Sequence, residues 1–179
     1  MEDTPKVTLR AIEPEDLDDL YNIENDQELW NVGNNNMPYS RFALHEYIAN
    51  ITGDIYVDQQ LRLMICDEYG HTVGMIDLAN FNPQHQRAEV GIVIRKDRRD
   101  KGYGLAAIKQ LIDYSQRILH IHQLYVMVCM DNIKCIKAFE EAGFRRQAIL
   151  KEWLYDGEAF KDIILLQFFL LFTFFFLVQ

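Results

Sequence analysis

Residues 89–105 read Glu89-Val90-Gly91-Ile92-Val93-Ile94-Arg95-Lys96-Asp97-Arg98-Arg99-Asp100-Lys101-Gly102-Tyr103-Gly104-Leu105. The first six are almost continuously apolar, as in a strand covered on both faces. Behind the glycines, Leu105, Ile108, Leu111, Ile112, Ser115, Ile118 and Leu119 recur at helical spacing, the clearest amphipathic signal in the chain. Between strand and helix stand the bases Arg95, Lys96, Arg98, Arg99 and Lys101, in a chain of net charge −9. A helix start offers unpaired N–H groups and the positive end of a dipole. Glycines let a phosphate approach the backbone closely. Strand, basic glycine turn and helix together make a cradle for a pyrophosphate. A solvated loop before a helix is the plainer alternative, and the combination favours the anion site.

The nucleotide P-loop is excluded, because no Gly-x-x-x-x-Gly-Lys-Ser/Thr run exists. Gly102-x-Gly104-x-x-Ala107 matches a short dinucleotide fingerprint. That fingerprint needs its first glycine directly after the strand, whereas a long basic loop intervenes here. It also belongs to a repeated strand–helix array, and this chain begins and ends with strand pairs.

Outward from residues 89–105, Lys6 to Ile12 alternates as a strand, and Pro14-Glu15-Asp16 opens a helix with Leu17, Leu20, Tyr21 and Ile23 on its apolar side. Ser40 caps a second helix whose expected buried face is Phe42, Leu44, Tyr47, Ile48 and Ile51. Residues 61–66 and 72–81 form a hairpin about Glu68-Tyr69-Gly70. Residues 123–129 form a buried strand. A helix capped at Asp131 or Asn132 and closed at Gly143 follows, then two strands, 146–154 and 159–167, about Tyr155-Asp156-Gly157. The expected class is α/β (α+β): a mixed, mostly antiparallel sheet of about seven strands with helices on both faces.

The 179 residues suit one domain with a real core. The acidic balance makes nucleic acid a poor partner and permits a cationic small molecule. Cys66, Cys129 and Cys135 are odd in number and fit no zinc or redox spacing, so no metal is expected, and a reducing, cytoplasmic setting is. No signal peptide begins at Met1-Glu2-Asp3-Thr4-Pro5. From Ile163 to Val178 only Gln167 and Thr173 interrupt an apolar run, shorter than the about 20 residues of a membrane span. Residues 1–168 are therefore expected as the domain and 169–179 as a hydrophobic tail, with cover by packing or a partner preferred over membrane contact.

Arg99-Asp100-Lys101-Gly102-Tyr103-Gly104 resembles the acetyl-CoA signature Arg/Gln-x-x-Gly-x-Gly/Ala of the GNAT acetyltransferase superfamily. Asn132 through Gly143-Phe144, a helix closing on Gly-Phe, resembles its second signature. The resemblance covers residues 6–167. Within the superfamily the chain is most similar to the spermidine/diamine N-acetyltransferases and the ribosomal-protein N-terminal acetyltransferases, through Leu9-Arg10 with Glu15-Asp16-Leu17, His85-x-Arg87-Ala88-Glu89, and Glu152-Trp153-Leu154-Tyr155-Asp156-Gly157. The resemblance implies acetyl-CoA as cosubstrate. Its pantetheine arm would lie along Ile92, Val93 and Ile94, where a backbone N–H would hold the developing oxyanion. Its pyrophosphate would rest on Arg99, Asp100, Lys101, Gly102, Tyr103, Gly104 and Leu105, with Asn132 and Cys135 on the following helix. The amine would attack directly in a ternary complex.

A base is needed, because an ammonium ion is no nucleophile. Glu89, just upstream of the proposed edge, is the candidate; a plain ion pair with Arg87 is the alternative. Where the family carries a thiolate-protonating tyrosine, this chain has Phe139. Three outcomes are open: unaided departure or a proton from water, which is preferred, a substitute such as Tyr103 or Tyr155, or binding with little catalysis. The family places the acceptor beside its first two helices. Here Glu13, Glu15, Asp16, Asp18, Asp19, Glu24, Asp26 and Glu28 stand with no base between Arg10 and Arg41. That stretch is either an acidic lip for a polyamine or a solvated helix face. Residues 31–37 read as a mobile lid or a plain connector. The expected acceptor is a primary amine, first a polyamine or diamine such as spermidine, with a peptide N-terminus or a non-catalytic acetyl-CoA-binding module as the alternatives, and a homo-oligomer is allowed.

Overall fold

The computed structural model describes residues 4–30 and 37–170. Its elements run β1 (Val7–Ala11), a 3-10 turn (Pro14–Asp16), α1 (Leu17–Glu24), α2 (Gln27–Trp30), α3 (Arg41–Asn50), α4 (Ile55–Asp58), β2 (Leu61–Asp67), β3 (Thr72–Asn82) and β4 (Arg87–Ile94). A 3-10 turn (Lys96–Arg98), α5 (Tyr103–Arg117), β5 (Gln123–Cys129), α6 (Ile133–Glu141), β6 (Arg145–Tyr155) and β7 (Phe160–Phe169) follow. The seven strands form one sheet in the order β1-β2-β3-β4-β5-β7-β6. Only β4 and β5 run parallel.

Alternation along the strands sends side chains to two cores. Ala88, Val90, Leu124, Val126 and Val128 face α5 and α6, where Ala107, Ile108, Leu111, Ile136 and Phe139 cover them. Met64, Cys66 and Met75, with Val93 packed against them, face α1 and α3 through Leu20, Ile23 and Leu44. Helices thus sit on both faces, as expected.

Two helix readings are corrected. Of the α3 face, Leu44 is buried and Tyr47 and Ile48 pack against it, while Phe42 and Ile51 stay exposed. The helix packs on α1 and the 3-10 turn before it, and Ile51 lies beyond its last residue, Asn50. Ile118 lies just beyond α5 and is exposed, because the helix ends at Arg117.

At the C-terminus, Phe169 pairs with Gln123 as the last residue of β7, and Leu170 just beyond it is buried, its N–H donating to His122 O at 2.8 Å. Residues 171–179, and most of the expected lid at 31–37, lie outside the described residues. No helix among the described residues is long and apolar enough to cross a membrane, and no cluster of His, Cys, Asp or Glu there could hold a metal.

Candidate active site

β4 and β5 are joined only at Arg87↔Gln123, Ala88↔Leu124 and Glu89↔Tyr125. Beyond that point they part. β4 continues to Ile94 against β3, and β5 continues to Cys129 against β7. A wedge-shaped gap in the middle of the sheet results, closed at Glu89 and Tyr125 and open toward the start of α5.

Hydrogen-bond alternation fixes which backbone groups face the gap. Arg95 N donates to Val73 O at 2.9 Å. In an antiparallel pair bonded residues alternate, so Val93 and Gly91 turn their N–H and C=O toward β3. Ile92 and Ile94 turn theirs toward the gap. The side chain of Arg99 takes one of these groups, its Nε donating to Ile94 O at 3.0 Å. Of the three residues expected along this edge, Val93 therefore contributes its side chain to the α1–α3 core rather than its backbone to the gap.

At the open end, α5 begins without a side-chain cap. Its first internal bond is Ala106 N to Gly102 O, at 3.1 Å, so the N–H groups of Tyr103, Gly104 and Leu105 have no partner inside the helix. Gly102, the N-cap, holds φ at 81°, a left-handed conformation that suits glycine. A Cβ on Gly104 would meet only Ile94 Cγ1, at 3.7 Å.

The loop bases are held in place around this start. Arg95 pairs with Asp19 at 2.9 Å, Lys96 with Glu28 at 2.6 Å and Arg98 with Asp67 at 3.6 Å. Lys101 Nζ donates to Asp97 O at 3.1 Å. Lys134 of α6 grips both carboxylate oxygens of Asp100 at 2.8 Å, linking the loop to the start of α6. There Asn132 caps the helix, its Oδ1 accepting from Cys135 N at 3.2 Å. Burial pushes the Cys135 thiol up to about 11.

Glu89, at the closed end, is half-buried on the α1–α3 face. It accepts from Asn80 Nδ2 at 2.8 Å, and no ion pair with Arg87 forms. Asn80 reaches it from a bulge: β3–β4 register shifts between Ala79 and Asn82, and Asn80 sits at φ 50°. A bulge re-aims a side chain in this way. Burial, and then the charge of Glu89, hold the Tyr125 hydroxyl above the usual tyrosine range. Sequence reading missed Tyr125 and Asn80. The one signal for Tyr125 is a polar interruption between Leu124 and Val126.

The substitutes considered for the absent tyrosine do not reach this point. Tyr155 is exposed in the β6–β7 turn, where its hydroxyl donates to Gly157 O at 2.9 Å. Tyr103 sits at the open end, on the first turn of α5. Phe139 is fully buried, edge-on to Phe144.

The acidic stretch is largely neutralised. Asp16 pairs with Arg10, Asp18 with Arg41, Asp19 with Arg95, Glu24 with Arg62 and Glu28 with Lys96. Arg62 also holds Asp77 through two bonds of 3.0 and 2.9 Å, fastening the end of α1 to β2 and β3. A cavity of about 160 Å³ remains between α1 and the end of β4, lined by Asp19, Asn22, Asp26, Val93 and Arg95 among others. A larger one, about 500 Å³, lies between β1 and α5 near Thr4, Glu68 and Gln110, away from the gap.

The model of the acetyltransferase (GNAT) domain matches residues 6–145. The spermidine N(1)-acetyltransferase of Vibrio cholerae is 28% identical over 158 residues, 88% of this chain and 90% of that protein. The enzyme of that name from Escherichia coli K12 is 27% identical, over 85% and 80%. The putative ribosomal N-acetyltransferase YdaF of Bacillus subtilis is 28% identical, over 88% of each. Among solved structures, spermidine N-acetyltransferase from Vibrio cholerae in complex with CoA and spermine superposes with a TM-score of 0.83 at 26% identity, over 92% of this chain and 95% of that one. A dodecameric structure of the same enzyme gives 0.76 at 28% identity, over 91% and 93%.

Proposed function

Because the chain belongs to the GNAT acetyltransferase family, we propose that it moves the acetyl group of acetyl-CoA onto a primary amine of a polyamine, by direct attack in a ternary complex. The observation that carries this reading is the gap between β4 and β5, with an uncapped helix start at its open end and a carboxylate at its closed end. The names of the Vibrio cholerae and Escherichia coli relatives supply the acceptor class.

The diphosphate of CoA rests on the N–H groups of Gly102, Tyr103, Gly104 and Leu105, with Arg99, Asp100 and Lys101 shaping the approach. Pantetheine runs down the gap as a missing strand, against the outward groups of Ile92 and Ile94. A backbone N–H of β4 toward the closed end polarises the thioester carbonyl and holds its oxyanion. The amide nitrogen of Asn132 is the donor that meets pantetheine from α6. A thiol at about 11 stays neutral, and the neutral form is not the nucleophile. Cys135 is therefore a wall residue rather than an acyl carrier, in keeping with direct transfer. The amine enters on the α1–α3 face, where Glu89 takes its proton.

We further read the protein as cytoplasmic and self-associating. Its three cysteines are free thiols. The edge strand β6 leaves Ile149 and Trp153 exposed, as is Phe160 of β7, and a dodecameric structure exists for the Vibrio cholerae relative.

Following CoA thiol release across a panel of amines and peptides, with mass detection of the product, tests the function. Release driven by spermidine-like amines is expected. Release driven only by peptides would move the acceptor to protein N-termini, the alternative that YdaF represents. Saturable binding of acetyl-CoA with no turnover would reduce the chain to a binding module.

A further inference from the structure

The reaction ends with a thiolate that needs a proton, and Phe139 has none to give. Resting on the proposed amine acetylation, the geometry points to Tyr125 as the acid: its hydroxyl protonates the departing CoA sulfur and is itself reprotonated by Glu89.

The position follows from the sheet. Pantetheine enters at the start of α5 and can descend only as far as the last paired residues, Glu89 and Tyr125. From Ile94 to Glu89 is five strand residues, about 17 Å, a length comparable to an extended pantetheine arm. The thioester therefore stops against this pair. Side chains directly across two strands share a face, so the Glu89 carboxylate and the Tyr125 hydroxyl lie together on the acceptor side. The hydroxyl interacts with both Glu89 and Asn80, and Asn80 holds Glu89 at 2.8 Å from the bulge in β3. Around Tyr125 stand Glu89 and Arg87 of β4 and Asn80 of β3, with Gln167 of β7 as its register partner.

The proton balance closes within this group. The ammonium first loses one proton to solvent. The amine nitrogen then bonds to the thioester carbon, and its second proton passes to Glu89. The carbon–sulfur bond breaks, the sulfur takes the proton of Tyr125, and Glu89 returns its proton to the phenolate. The products are the amide and CoA thiol, with one proton released overall, and both side chains are back in their starting forms.

Tyr125→Phe is the direct test. Its kcat for a polyamine falls about 10²-fold, the scale of a lost general acid. Its KM for acetyl-CoA stays unchanged, and the alkaline limb of the kcat–pH profile disappears. A kcat within twofold of the parent with the same profile overturns the proposal. A second readout needs no acceptor. Tyrosinate absorbance is titrated in the parent and in Glu89→Gln, each with and without Tyr125→Phe. Glu89→Gln should move one tyrosine to lower pH, and only when Tyr125 is present; no movement overturns the relay. A parent protein inactive with every amine would refute the proposed function, and the titration then decides the relay alone.

Discussion

Asp16 shows how one carboxylate fixes the entry to the first helix. It accepts from Arg10 at 2.6 and 2.7 Å and from Glu13 N at 2.8 Å, and hydrogen bonding to Arg10 holds its pKa below the usual carboxylate range. A depressed folded value means the stabilisation is present above the ordinary value and lost as pH falls through the folded one. Asp16→Asn should therefore cost about 2 kcal/mol at neutral pH. In urea titrations the gap between variant and parent should close below about pH 4. At Glu89 the expectation is kinetic: Glu89→Gln lowers kcat about 10²- to 10³-fold and leaves acetyl-CoA binding intact by calorimetry. The place of Glu89 on β4 was legible from the apolar strand around it, while its role stays the proposed one. Its partner Tyr125 was not, because cross-strand register is set by the whole sheet. Tyr155 misled for the same reason, since only the folded turn shows its hydroxyl bound to Gly157.

Among the elements, β4, the basic turn and α5 were the most legible, because a strand, a glycine turn and a helix start are local chemistry. Gly104→Asp places a carboxylate among the unpaired N–H groups of α5, where a Cβ itself makes only an ordinary contact. It should abolish acetyl-CoA binding with the circular dichroism spectrum unchanged. Gly102→Ala differs in kind. Its φ is left-handed, and a Cβ there would stand 2.9 Å from Pro5 Cδ. The variant should lose about 1 kcal/mol of stability or more, read as a lower Tm, and bind the cofactor more weakly. The bulge at Asn80 left no mark in the sequence, since a single extra residue in a strand reads as a longer strand. The apolar side of α3 was overdrawn because periodicity shows neither which part of a helix a neighbour covers nor that the helix ends at Asn50, before Ile51.

Across the whole molecule the net charge of −9 survives the pairing of individual acids. Attraction of a polycation is then long-ranged and screenable. Raising ionic strength from about 0.1 M to about 1 M shortens the screening length from about 10 to about 3 Å. The KM for a polyamine should rise several-fold over that range in steady-state assays, with kcat little changed. The gap in the sheet bears on the lifetime of the protein as well as on its chemistry. Among the described residues, three register pairs, with the bonds from His122 N and Gln123 N to Gln86 O beside them, couple the β1–β4 half of the sheet to the β5–β7–β6 half. A cofactor lying in that seam cross-braces the two halves, and at a concentration 100 times its dissociation constant it adds about 2.7 kcal/mol to the fold. Hydrogen exchange at the Ile92 and Ile94 amides should slow when acetyl-CoA is added. The copies that proteases meet first would then be the unloaded ones, so the amount of enzyme tracks the supply of its own acetyl donor.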